Sequence, residues 1–150
     1  MSLHRAPVLL IVGCLVAGLN LPAAAQATAG SQPFDGTWQT TLVCEDVHSE
    51  GHLVKGYTFE FEVQVKGGHL EGQYGQAGQN SSVHFEGQIQ PDGQALVRAK
   101  GFTGSPEYTP SRAQPGTRYA YALRGSFEGD HAMLTRQHLR PCKARFTRRP

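Results

Sequence analysis

The side chains with the most chemical potential crowd the segment 45–55. His48 and His52 stand four apart, with Glu45, Asp46 and Glu50 around them. Imidazoles and carboxylates are ligands for zinc or copper, and on a helix this spacing would turn both rings to one face. Gly51 interrupts any such helix, so the pair is a weak metal candidate beside the simpler expectation of a solvated polar loop. Ser105 and Ser111 stand in no Gly-x-Ser-x-Gly elbow and have no His–Asp pair nearby. Glu60 and Glu62 alternate with apolar residues and point outward from a strand, where they cannot flank a common substrate. Neither a phosphate-binding loop nor a dinucleotide fingerprint occurs. The expectation is a protein without catalytic activity, metal or other cofactor.

The start of the chain sets the compartment. Arg5 is the only Lys, Arg, Asp or Glu before Asp35, and it precedes an apolar run from Ala6 to Leu19 that ends in small residues around Ala23–Ala27. A basic start, an apolar middle and small residues at the cut describe a secretory signal peptide over 1–27, cleaved after Ala25 or Ala27. Gly13, Gly18, Asn20 and Pro22 interrupt the run, which is too short for a membrane anchor, so the mature chain is expected to have no transmembrane segment. Ile11-Val12-Gly13-Cys14 resembles a lipobox, and lipoprotein processing at Cys14 is the minor alternative to a periplasmic or secreted protein. Residues 28–33 then form a flexible mature N-terminus and 34–150 a single domain. The whole chain carries 14 Lys and Arg against 12 Asp and Glu. Near-neutral charge excludes a nucleic-acid binder that works by bulk electrostatics. Arg136, Arg140, Lys143, Arg145, Arg148 and Arg149 nevertheless crowd the C-terminus without an acid among them. They read as one solvated strand face, with weak contact to an anionic surface as the sharper alternative.

Elements come from periodicity. Residues 57–66 alternate apolar and polar without error over ten positions, the pattern of a half-buried strand. Shorter alternations follow around Leu70–Tyr74, Val83–Ile89, Ala95–Ala99 and Tyr119–Phe127, with weaker ones at 37–44, 131–137 and 141–148. No window beyond the leader has helical periodicity. Tight Gly turns at 66–68, 91–93 and 128–130 alternate with long connections at 45–55, 75–81 and 102–117. In an up-and-down meander these fall at opposite ends. The fold expected is therefore all-β, an eight-stranded antiparallel barrel with a tight base and a loop-built mouth.

The mature chain keeps Cys44 and Cys142, and an even count in an exported protein reads as a disulfide. Closure makes the first and last strands antiparallel neighbours. If Cys44 faces Cys142, Thr40 faces Phe146 and Trp38 faces Arg148, where a guanidinium can stack on the indole. Gly36-Thr37-Trp38 opening the first strand, with a late Arg meeting the Trp, resembles the signature of the calycins, the lipocalin and avidin superfamily. The resemblance covers the architecture of 34–148 and implies such a barrel, but no ligand-contacting residue of avidin carries over. Gly72-Gln73-Tyr74-Gly75, Pro115-Gly116-Thr117 and Arg140-Pro141-Cys142 are together similar to small exported bacterial proteins of unassigned function. That resemblance supports export and the disulfide, and implies no activity.

Ten aromatics occupy inward positions: Trp38, Tyr57, Phe59, Phe61, Tyr74, Phe85, Tyr119, Tyr121, Phe127 and Phe146. They are enough to fill an eight-stranded barrel, although small inward residues (Thr40, Gly72, Gly87, Ala95 and Ala99) leave room near the walls, with strand coiling as the equal reading of Gly87 and Gly125. The leading reading is a non-catalytic binding module that engages a small apolar or aromatic ligand, or a partner protein of the envelope, at the mouth. Its site residues are Tyr108, Arg112, Phe102 and His138. The loop from Phe102 to Thr117 is long for a hairpin connection, and Pro106, Pro110 and Pro115 stiffen it. The alternative is an interaction or inhibitor module with a solid barrel that inserts this loop into a partner, and an envelope hydrolase comes third. Intact mass of the protein recovered from its host should correspond to loss of residues 1–25 or 1–27; a chain retaining Met1 would contradict the export reading.

Overall fold

The computed structural model describes residues 32–136 and 138–150. The expected leader, Cys14 and residues 28–31 lie outside the described residues. Alternation resolves into strands β1 (Gly36–Cys44), β2 (Val47–Ser49), β3 (His52–Val54), β4 (Tyr57–Lys66), β5 (His69–Tyr74), β6 (Ser82–Ile89), β7 (Gln94–Phe102), β8 (Arg118–Glu128), β9 (His131–Arg136) and β10 (Cys142–Arg148). Eight of them close an antiparallel barrel in the order β1-β10-β9-β8-β7-β6-β5-β4, and β2 pairs with β3 as a separate hairpin. The segment 45–55 is thus not the plain loop expected from its composition. Its strands are only three residues long, too short for a periodic signal.

The closing register is the one that the cysteines imply. β1 meets β10 with Trp38 opposite Arg148, Thr40 opposite Phe146 and Cys44 opposite Cys142. The last pair forms a disulfide across a sequence separation of 98. The outward positions of β4 are Thr58, Glu60, Glu62, Gln64 and Lys66, all exposed to solvent. Among the described residues, no helix is long and apolar enough to cross a membrane.

The base is solid. Trp38, Phe85, Phe127 and Phe146 have at most 1% of their surface exposed, and Phe61 has 7%. Trp38 meets Phe127 edge-on at 4.9 Å, and Phe127 packs on Phe146 at 5.3 Å. Each such ring contributes about 1.5–3 kcal/mol by burial. Phe34 stops the end of the barrel, packing on Phe127 at 5.7 Å while its carbonyl accepts the Trp38 indole N–H at 3.0 Å. Arg148 ties this stopper down. Its guanidinium lies 4.6 Å from the Trp38 ring and donates to the carbonyls of Asp35 and Pro33 and to the Asp130 carboxylate. Tight turns complete the end, with Gly67, Gly68, Gly93 and Gly129 all at positive φ.

Gly72 and Gly87 open no cavity here. A Cβ at Gly72 would strike the Val63 side chain, and one at Gly87 would strike the Leu96 carbonyl. These glycines let neighbouring strands pack closely, which corrects the expectation that they leave room near the walls.

Asp35 accepts hydrogen bonds from backbone N–H groups of the base. Those of Gly67, Gln32 and Gly68, together with the Arg148 charge, hold its carboxyl below the ordinary aspartate value. A depressed folded-state pKa stabilises above the unfolded value and loses that contribution as pH falls through the folded one. The melting temperature of the native protein should therefore drop more steeply than that of Asp35→Asn below the ordinary aspartate range. Parallel acid limbs in thermal melts would contradict this.

Candidate functional site

At the other end the barrel is hollow. A cavity of about 760 Å³ opens at the mouth, above the packed base. Five of the ten inward aromatics line it rather than fill it: Tyr57, Phe59, Tyr74, Tyr119 and Tyr121. Two walls face one another from opposite strands of the eight. On β4 and β5, Phe59 and Tyr74 stack at 4.0 Å with planes 12° apart. On β8, Tyr119 and Tyr121 lie with planes 11° apart and centroids 6.0 Å apart. Register supplies the space for the second wall, because Tyr119 sits opposite Gly101 and Tyr121 opposite Ala99. A Cβ on Gly101 would come within 2.7 Å of the Tyr119 hydroxyl, which donates to the Ser82 carbonyl at 3.1 Å.

The tyrosines of the walls stay uncharged. Burial raises the pKa of Tyr57, Tyr119 and Tyr121 above the ordinary phenol value. The Tyr57 and Tyr121 hydroxyls approach each other, but no hydrogen bond of ordinary geometry reaches the buried Tyr121 oxygen.

The disulfide sits at the edge of this cavity. One cross-strand row runs Tyr57 on β4, Cys44 on β1, Cys142 on β10 and Arg136 on β9. Two residues before the bridge, Arg140 is only 4% exposed. Its guanidinium donates to the carbonyls of Glu45 at 2.9 Å, Tyr108 at 2.7 Å and Lys55, and lies 5.0 Å from the Tyr57 ring. Burial lowers the Arg140 pKa, opposed by Tyr57 and Asp46. Three chain segments therefore converge on one side chain.

This anchoring sets the shape of the long connection. Ser105-Pro106 starts a single 3₁₀ turn, Pro106–Tyr108, where proline has no donor to waste. The Lys55 N–H donates to the Glu107 carbonyl at 2.9 Å, and the Lys55 ammonium meets the Glu107 carboxylate at 2.8 Å. Thr103 binds the returning limb through Gln114 and Thr117. The segment is a strap across the mouth, held at both ends and in the middle.

The structure brings two of the four expected site residues to the cavity. Phe102 and Tyr108 line it, whereas Arg112 is exposed at φ 49° beyond the lining and His138 is exposed near the last mouth connection. His48 and His52 do not converge. In the β2–β3 hairpin His48 pairs with Leu53 and Ser49 with His52, so the two rings leave by opposite faces. Among the described residues no group of three or more His, Cys, Asp or Glu could hold a metal ion. The basic C-terminus is also not one solvated face. Lys143, Arg145 and Arg149 are exposed, but Arg136, Arg140 and Arg148 are partly or wholly buried. Arg136 and Arg140, missed as site residues, line the cavity. Arg136 shares the inward parity of Ala132 and Leu134, which is a visible signal, whereas Arg140 lies in a connection without periodicity.

Neither a protein-family model, nor a curated protein, nor a solved structure matches the chain.

Arg140→Met leaves three carbonyls without their donor, so stability should fall by about 3 kcal/mol. Hydrogen exchange should quicken across 103–117 while β6–β8 keep their protection. Unchanged exchange in the strap would mean that Arg140 does not hold it.

Proposed function

We propose that this protein is a non-catalytic binding module that takes a small aromatic or apolar ligand into the mouth of its barrel. One observation carries the reading: a cavity of about 760 Å³ lined by aromatic rings above a filled base. Ligand pockets are typically about 300–1,000 Å³, mostly apolar, with a few polar groups that fix orientation. The division of the aromatics also favours this reading over an inhibitor with a solid barrel. A loop that works by insertion must project, whereas this strap is bound to Lys55 and Arg140 on its own barrel.

A calycin-type relationship is part of the proposal. It rests on the eight-stranded meander and on Gly36-Thr37-Trp38 stacked under Arg148. Export to an oxidising compartment is supported by the Cys44–Cys142 bridge, since disulfides persist there.

The uncharged aromatic probe N-phenyl-1-naphthylamine should bind saturably, one molecule per chain, with a rise in fluorescence. Ala113 lines the cavity from the strap. Ala113→Trp should fill the mouth and abolish the signal while the melting temperature stays within a few degrees. Absence of saturable binding, or equal binding by the variant, would refute the mouth as the site.

A further inference from the structure

Three arginines line the mouth cavity, Arg118, Arg136 and Arg140, and no Asp or Glu is among its described lining residues. Their situations differ. Arg140 is spent on three backbone carbonyls and the Tyr57 ring. Arg118 is exposed at the rim, 5.7 Å from the Phe102 ring. Arg136 points inward on the same face as Ala132 and Leu134, and its guanidinium lies 4.5 Å from the Tyr121 ring. Among the described residues its guanidinium makes no hydrogen bond and no ion pair; it lies over the Tyr121 ring, with Tyr57 and Arg140 as its electrostatic neighbours.

That arrangement is costly unless something completes it. Stacking uses the flat face of a guanidinium and leaves its edge donors open. A buried or half-buried cation without an acceptor loses hydration that nothing in the wall returns. The wall offers no anion, since its tyrosines stay protonated and Arg140 adds a second positive charge nearby. Water entering through the mouth can serve these donors in the free protein. An oxyanion entering with a ligand would serve them better, because charge-assisted hydrogen bonds strengthen in an apolar surround. The same cavity supplies flat surfaces for the rest of such a ligand, the Phe59–Tyr74 pair and the Tyr119–Tyr121 pair.

We infer that the mouth takes a flat aromatic or conjugated acid, with its rings between the β4–β5 and β8 walls and its oxyanion paired with Arg136. This rests on the reading of the mouth as a ligand site, and it specifies the chemical class. Arg136 acts here as a specificity-determining residue that selects anionic over neutral aromatics.

A matched pair of probes tests it. 1-Anilinonaphthalene-8-sulfonate is N-phenyl-1-naphthylamine with one added sulfonate. On the full mature chain the sulfonate should bind about tenfold tighter than the neutral probe, the worth of one charge-assisted pair. In Arg136→Gln the ratio of the two affinities should fall to near one, and Arg136→Lys should keep part of the preference. Added salt should weaken only the sulfonate. Failure of both probes to bind overturns the ligand-site reading and this inference with it. Binding of the neutral probe without a preference for the sulfonate overturns the inference alone, as does a preference that survives in Arg136→Gln.

Discussion

Closure of β1 on β10 is the constraint on which the other features depend. Antiparallel pairing with Cys44 opposite Cys142 fixes every other contact between the chain's two ends. It carries Trp38 under Arg148 at the base and sets Cys142 beside Arg136 at the mouth. A shift by one residue would send Phe146 and Ala144 to solvent and bring Arg145 and Lys143 into the core, because side chains alternate faces with a period of two. The bridge locks the register that burial already prefers. In the chain-entropy model a closed loop of this length stabilises by up to about 4–5 kcal/mol.

Both ends of the barrel use the same device. At the base Arg148 takes the carbonyls of Pro33 and Asp35 and covers Trp38; at the mouth Arg140 takes those of Glu45, Lys55 and Tyr108 and covers Tyr57. A guanidinium suits this role because its planar fork can serve several acceptors while its face lies on a ring. What differs is the volume behind it. Behind Arg148 the rings of Trp38, Phe127 and Phe146 interlock, whereas behind Arg140 the tyrosines lie along opposite walls and leave space.

Much of this was legible in the residue pattern. The alternation over 57–66 and the Gly turns encode local constraints, and the two cysteines fix the long-range register that pairs Trp38 with Arg148. The β2–β3 hairpin was not legible, since Val47–Ser49 and His52–Val54 are too short to show a period. Counting inward aromatics could not separate a filled barrel from a half-hollow one, because that depends on how rings stack rather than how many there are. The room expected beside the glycines is absent for a related reason: Gly72 and Gly87 accommodate close strand packing, so their missing volume is taken up by neighbours. Arg140 read only as part of a basic stretch because its partners are backbone carbonyls on three segments, which carry no sequence signature.

A hollow mouth over a solid base can be read from a ¹H–¹⁵N correlation spectrum followed through a titration with 1-anilinonaphthalene-8-sulfonate. The amides of Tyr57, Phe59, Tyr119, Tyr121, Arg136 and Arg140 should move together along one saturating curve. The indole N–H of Trp38, the chain's single tryptophan and fully buried in the base, should stay in place. Shifts that include the Trp38 indole, or that fall on the outward residues of β7, β9 and β10 while the mouth amides stay still, would contradict it.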